Sequence, residues 1–393
     1  MNKQLIKAAI LAAAALAVFS HQAIAQKAAP TKALKGPVKV FILAGQSNMV
    51  GWGGARTLDA LGADPINGKM LKKIKKDDGS FTVRDDVFVS WQRDGERIKG
   101  PLTVGQGGSN DFIGPELMFG TIMGDFYDQP VLLIKTAWGG KDLYCDFRPP
   151  SAGKPAYAIQ QRDGKPRQMG VCYHQMVAEV KECLANMESD FPQLKGMKPQ
   201  IDGFVWFQGF NEMFSGEENQ KQVYAEYASN YAHMIADLEK EFKLARLPSV
   251  VGEMGVDGDK PNPLRAAQAA VMYQKSLKGK TAFVKTAQFW DPALDQMESK
   301  LGGQEQRVRK QVTAQVMAQL KGKPEAADKK AVEQLVNSQM GQALSKDAEY
   351  QKVRVEHDKV ISHWECHYWG SARIYCLVGN GLAEAMKQLV KAK

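Results

Sequence analysis

Short apolar runs that end in glycine recur along the chain. Val38 to Ala44 (VKVFILA) ends at Gly45, Val131 to Thr136 (VLLIKT) leads to Gly139-Gly140, and Gly203 to Phe207 (GFVWF) leads to Gln208-Gly209. Their length and β-branched content predict strands buried on both faces. Ser249 to Gly252 (SVVG) and Ala282 to Thr286 (AFVKT) are weaker examples. Between them lie helix-length segments at about 114–125, 171–187, 218–243 and 263–278. In 218–243, Tyr224, Tyr227, Tyr231, Met234 and Leu238 recur every three or four residues and share one face. A last helix at about 371–391 gathers Ile374, Leu377, Val378, Leu382, Ala385, Met386 and Leu389 on a stripe that closes the fold. Strands alternating with helices predict an α/β fold with a central parallel sheet covered on both faces. Ligands of such sheets bind beyond the C-terminal ends of the strands. Residues 292–350 break the pattern: they are rich in Gln, Lys, Glu and Ala, and read as a helical insertion.

The N-terminus has its own pattern. Lys3 and Lys7 precede an apolar run from Ala8 to Phe19, too short to span a bilayer comfortably. Ala23-Ile24-Ala25 comes next as an A-x-A site. Residues 1–25 therefore read as a signal peptide, with a mature chain from Gln26 in the periplasm or outside the cell. Residues 26–36 read as a linker, and 37–393 as the folded domain.

The 393 residues are 44% hydrophobic and 24% charged, which excludes wholesale disorder and a disulfide knot. The formal charge of +9 includes Lys3 and Lys7, and the remainder is too mildly basic to demand nucleic acid. Export permits disulfides, but Cys145, Cys172, Cys183, Cys366 and Cys376 are odd in number. Cys172 and Cys183 on one helix would lie roughly 16 Å apart, beyond the ~7 Å that a bridge allows. No Cys/His spacing supports a metal site. The lysines Lys69, Lys72, Lys73, Lys75 and Lys76 read as a solvated helix end before Asp77-Asp78-Gly79, with grip on an acidic polysaccharide as the alternative.

The chemistry lies after the strands. Ser47 in Gly45-Gln46-Ser47-Asn48-Met49 stands where its hydroxyl can face a cleft and its N–H a developing anion. Trp138-Gly139-Gly140-Lys141 lets backbone N–H groups approach a ligand. In Gln208-Gly209-Phe210-Asn211-Glu212, the Asn211 amide can serve the same oxyanion, and His367 precedes the closing helix. Taken singly, each is also an ordinary turn, cap or structural histidine. Together they supply a nucleophile, oxyanion donors and a base.

In this order the blocks resemble the SGNH hydrolases, and specifically the sialate O-acetylesterase-like carbohydrate esterases. GQSNM at 45–49 resembles the nucleophile block, AWGGKDL at 137–143 the glycine block, WFQGFNEMF at 206–214 the G-x-N-D block and HYWGSARIYCLVG at 367–379 the histidine block. IGPELMFG at 113–120 is also similar to a family segment. The resemblance implies a three-layer α/β/α, flavodoxin-like fold. It also implies a carbohydrate O-acetylesterase that needs neither metal nor organic cofactor, with Ser47 as nucleophile and His367 as base. Gly140 and Asn211 would hold the oxyanion. Gln46, Trp138, Gln208, Phe210 and Trp369 are the candidate substrate contacts, while Trp206 is expected in the core.

One position departs from the family. Many SGNH enzymes carry Asp three residues before the histidine, where this chain has Trp364. Glu365 and Asp291 are candidate third members, although Asp291 before Pro292 also reads as a helix cap. The expectation is a Ser–His dyad, with His363 dispensable. Two other functions fit less well: a non-catalytic glycan binder, favoured only by the missing Asp, and an esterase for small non-carbohydrate acyl esters.

Overall fold

The structure, a computed structural model, describes residues 34–155 and 167–391. The expected signal peptide and most of the expected linker lie outside the described residues. β1 (Val38–Gly45) is central, and only Lys39 on it is not fully buried. Further strands are β2 (Gly53–Gly54), β3 (Val87–Arg93), β4 (Glu96–Pro101), β5 (Phe112–Ile113), β6 (Val131–Ala137), β7 (Pro199–Phe207), β8 (Ser249–Gly252) and β9 (Thr281–Val284). Seven of them form one sheet in the order β4-β3-β6-β1-β7-β8-β9. Only the β3–β4 pair is antiparallel in that sheet. The five expected strands are present, and β6, β1 and β7 lie side by side at the centre.

The longer helices are α1 (Pro115–Phe126), α2 (Val171–Ala185), α3 (Glu217–Glu241), α4 (Pro263–Ala269), α5 (Pro292–Gln319), α6 (Lys329–Lys346), α7 (Ala348–Asp358) and α8 (Ala372–Lys391). α1 and α8 cover one face of the sheet: Phe41 of β1 meets Phe119 of α1 edge-on, and Met386 of α8 lies over Gly203. α3 covers the other face, with Tyr231 against Phe204 and Trp206. Trp206 is fully buried there, as expected. A Cβ at Gly379 would come within 2.4 Å of the Pro115 carbonyl, so glycine there lets α8 pack closely against α1.

Three details add to or differ from the sequence reading. A hairpin, β3–β4, precedes β6; its Asp94-Gly95 turn has positive φ at both residues, which is the type I′ geometry that Asp-Gly favours. The segment at 263–278 is helical only to Ala269 and then breaks into short 3₁₀ turns. There the chain must turn into β9, and Gln274 is already extended. The polar segment from 292 is helical to Asp358 and has its own apolar seam, including Leu301, Val308, Val312, Val316 and Tyr350.

All five cysteines are free, and Cys172 and Cys183 are buried. In the lysine cluster, Lys73 and Lys75 pair with Asp125 and Asp59 at the surface. Among the described residues, no helix is long and apolar enough to cross a membrane.

Candidate active site

Three strand ends meet in register. Gly45 of β1 pairs with Ala137 of β6 on one side and Phe207 of β7 on the other. Ser47, Gly140 and Asn211 therefore lie two, three and four residues beyond aligned positions. Gly45 is required by contact: a Cβ there would sit 2.2 Å from the Phe207 carbonyl oxygen. Ser47 opens a one-turn helix (Ser47–Val50) that closes on the Gln46 carbonyl.

Buried side chains bind these turns together. Gln46 is fully buried, and its Oε1 accepts the Asn211 N–H at 3.1 Å, while its amide nitrogen meets no protein acceptor. Glu212 accepts from the Leu143 N–H and from Gln208 Nε2, joining the glycine turn to the Asn211 turn. Burial first, and then the Asp142 carboxylate, raise the Glu212 carboxyl well above the ordinary range. Glu212 was not singled out by its sequence pattern, although it stands in the same block as Asn211. Gly140 has φ of 71°, and a Cβ built on it would lie 4.0 Å from Asn211 Nδ2, so the amide rests against the glycine turn.

Gln208 is fully buried and its side chain is spent within the protein. Its Nε2 donates to the Lys141 carbonyl and Glu212, and its Oε1 accepts from the Tyr227 hydroxyl. It therefore fixes turns and is not available as a substrate contact. Trp138 and Phe210 are half-buried at the strand ends. The Trp369 indole N–H donates to Asp295 Oδ1 at 2.8 Å and fastens α5 to the histidine turn.

The histidine turn spans 362–370, between α7 and α8. Tyr368 and Trp369 adopt left-handed φ of 53° and 55°, a strained pair held by the Ser362 and His363 N–H bonds to the Trp369 carbonyl and by the buried Tyr368 hydroxyl, which accepts the Gly255 N–H. Asn48, the residue after Ser47, donates from Nδ2 to the Cys366 carbonyl at 3.1 Å and accepts from the Tyr375 hydroxyl at 3.0 Å. The residue after the serine is thus bonded to the residue before His367. No hydrogen bond joins the Ser47 hydroxyl to an imidazole among the described residues.

His367 Nδ1 lies 2.9 Å from His363 Nδ1, and the Trp52 ring packs on both imidazoles. Burial, with His363 adding to it, pushes His367 down to about 4, and burial lowers His363 as well. Neither candidate carboxylate bonds to this pair. Asp291 caps α5 through the Ala293 N–H and pairs with Arg373 at 3.0 Å. Glu365 faces Asp257 and Asp295; partial burial and those two carboxylates raise it. The imidazole's partner is instead the second histidine. The His-x-x-x-His spacing was visible, but nothing in the sequence placed both rings under Trp52. Among the described residues, no cluster of His, Cys, Asp and Glu could hold a metal.

A parallel α/β sheet that brings a turn serine, a glycine turn and a G-x-N turn to adjacent strand ends, beside a histidine turn, defines an SGNH-type hydrolase. Residues 37–347 match the SASA family, described as carbohydrate esterase, sialic acid-specific acetylesterase, and the chain belongs to that family. It is therefore a carboxylic ester hydrolase. The matched region ends before the histidine turn. Among solved structures, the chain is similar to a protein from Arabidopsis thaliana, at 16% identity and a TM-score of 0.39, covering 64% of this chain and 86% of that one. It is also similar to a novel carbohydrate acetylesterase from Xanthomonas citri, at 16% identity and a TM-score of 0.40, covering 63% of this chain and 49% of that one. No curated protein sequence matches the chain.

Proposed function

We propose that the protein is an exported carbohydrate O-acetylesterase working through an acyl-enzyme. Ser47 attacks the acetyl carbonyl while His367 Nε2 takes its proton. The tetrahedral oxyanion is met by the Ser47 and Gly140 N–H groups and the Asn211 amide. His367 then protonates the departing sugar oxygen. Water, activated by the same imidazole, releases acetate and regenerates Ser47. The tautomer this needs has His367 Nδ1–H donating to His363 Nδ1, which leaves Nε2 free to accept. His363 is therefore a positioning residue in the place usually held by a carboxylate.

The observation that carries this reading is the Asn48–Cys366 hydrogen bond, which draws the serine turn to the histidine turn. Ser47→Ala should abolish acetate release from whichever of acetylated xylan, pectin, peptidoglycan, sialic acids or sulfated algal glycans the wild type deacetylates, with unfolding unchanged. Near-wild-type release by that variant would end the reading. Export rests on residues 1–25, and the mass of the protein recovered outside the cytoplasm should correspond to a chain starting at Gln26.

A further inference from the structure

A histidine base gains a positive charge when it takes the serine proton, and in a Ser-His-Asp triad a carboxylate stabilises that charge. His367 has no such partner. Asp291 is committed to Arg373, and Glu365 faces Asp257 and Asp295. The contact at His367 Nδ1 is His363, a second imidazole that shares the proton but carries no opposing charge. Among the described residues, no charged side chain from the segments packed around the pair acts on His367, and burial keeps the Cys366 thiol beside it neutral.

What faces the pair is Trp52. Its ring centre lies 5.6 Å from that of His367, with the planes 22° apart, and 4.7 Å from that of His363, at 35°. Both imidazoles are thus within the roughly 6 Å over which an aromatic face attracts a cation, and indole is the strongest such face. Trp52 is half-buried, so water screens this attraction less than on an open surface. The indole is also fixed in place. Phe112 meets it edge-on at 5.5 Å, and Gly108 packs so closely that a Cβ there would come within 2.9 Å of it. A ring already in position when charge develops needs no reorganisation at that moment. Trp364, which stands where many SGNH enzymes carry Asp, is placed differently. Its ring centre is 6.4 Å from that of His367, and the side chain is 72% exposed.

We propose that Trp52 stabilises the imidazolium of the His363–His367 pair through a cation–π contact, in the role that a carboxylate fills in a triad. It acts through His367 and is therefore a positioning residue. Its part in catalysis rests on the esterase reading above.

The test replaces Trp52 with tryptophans that carry one to four ring fluorines. These keep the shape and burial of indole while they drain the negative charge from its face. In the Ser47→Ala protein, the titration midpoint of His367, followed by NMR of labelled histidine, should fall stepwise by about one pH unit across the series, because the charged ring loses its partner. With Ser47 intact, kcat on 4-nitrophenyl acetate at pH 8, where the base is neutral throughout, should fall in parallel by about tenfold. A midpoint that stays constant across the series overturns the proposal. A midpoint that falls while kcat holds removes Trp52 from catalysis and overturns it as well. The same fluorine series at Trp364 should move both quantities less, since that ring is farther from His367 and exposed to water. An equal response there would assign the effect to fluorine in general and overturn the contact with Trp52. The titration needs no substrate, so it separates the two readings. A protein that turns over no ester but shows the falling midpoint keeps the contact and loses only the esterase reading, whereas an active series with a constant midpoint keeps the esterase and loses the contact.

Discussion

At the scale of single residues, the histidine pair sets the behaviour expected with pH. An unperturbed imidazole titrates near 6.5, but burial and His363 bring His367 to about 4. The base is therefore neutral across the physiological range. The acid limb of kcat/KM, which reports the free enzyme, should have its midpoint near 4, and a midpoint at or above 6.5 would contradict the assignment. The effect on stability has a definite sign. Below about 6.5 the unfolded chain takes a proton that folded His367 refuses, so stability falls as pH drops from about 6.5 to about 4. His363→Ala should raise the midpoint of the acid limb and cost about 10–10³ in kcat, less than the 10⁴ an orienting Asp can be worth, because a neutral imidazole stabilises imidazolium less than a carboxylate does. His363→Gln, which restores an acceptor, should recover part of that loss, and a kcat within a few fold of wild type in both variants would return His363 to a bystander. Asn211→Ala should lower kcat by about 10²–10³ with little change in KM, as expected for a donor used chiefly in the transition state. A pure KM effect would move Asn211 to substrate binding.

At the scale of elements, the site depends on how closely β1 and β7 approach. Gly45→Ala places a methyl 2.2 Å from the Phe207 carbonyl, so the strand ends must separate. That should cost about 1–3 kcal/mol of stability and reduce activity beyond what stability explains, because the serine and Asn211 turns would lose register. Urea unfolding and kcat measured together check both. The polar helical segment from 292 also has a clear structural place. α7 ends at Asp358, Arg56 clamps the Asp358 and Ile361 carbonyls, and Trp369 bonds to Asp295 of α5. The helices of this polar segment thus help to hold the turn that carries both histidines. Its helical character was legible in its composition. That connection was not, because it runs through Arg56, Asp295 and Trp369, which stand far from one another along the chain.

At the scale of the whole molecule, the ion pair of Lys135 and Glu116 sits wholly buried between β6 and α1. Lys135 also donates to the Val50 carbonyl at the end of the serine helix and to the Gln106 carbonyl. Lys135→Met should destabilise the fold by about 3–5 kcal/mol, because it leaves a buried carboxylate uncompensated, and adding Glu116→Gln should recover much of that. A single variant as stable as wild type would remove this pair from the supports of the site. The parallel sheet, its central strands and the closing helix were legible in the sequence because burial on both faces writes continuous apolar runs, and one-face burial writes helical stripes. The turns that carry Ser47, Gly140 and Asn211 could be expected together because a parallel sheet sends its strand ends to one edge, whereas the His367 turn lies between α7 and α8 and is not a strand end. The β3–β4 hairpin was harder to read, since β4 is a polar edge strand held mainly by backbone pairing, and only Asp94-Gly95 marked its turn. Pairing, by contrast, was decided by the tertiary structure alone. Asp291 and Glu365 stand near the histidine block in sequence or in chemistry, yet folding commits one to Arg373 and the other to Asp257, while His363 is brought to 2.9 Å from His367. A local pattern records what a side chain is and which face it takes, whereas hydrogen-bond partners depend on where distant turns converge once the core has packed.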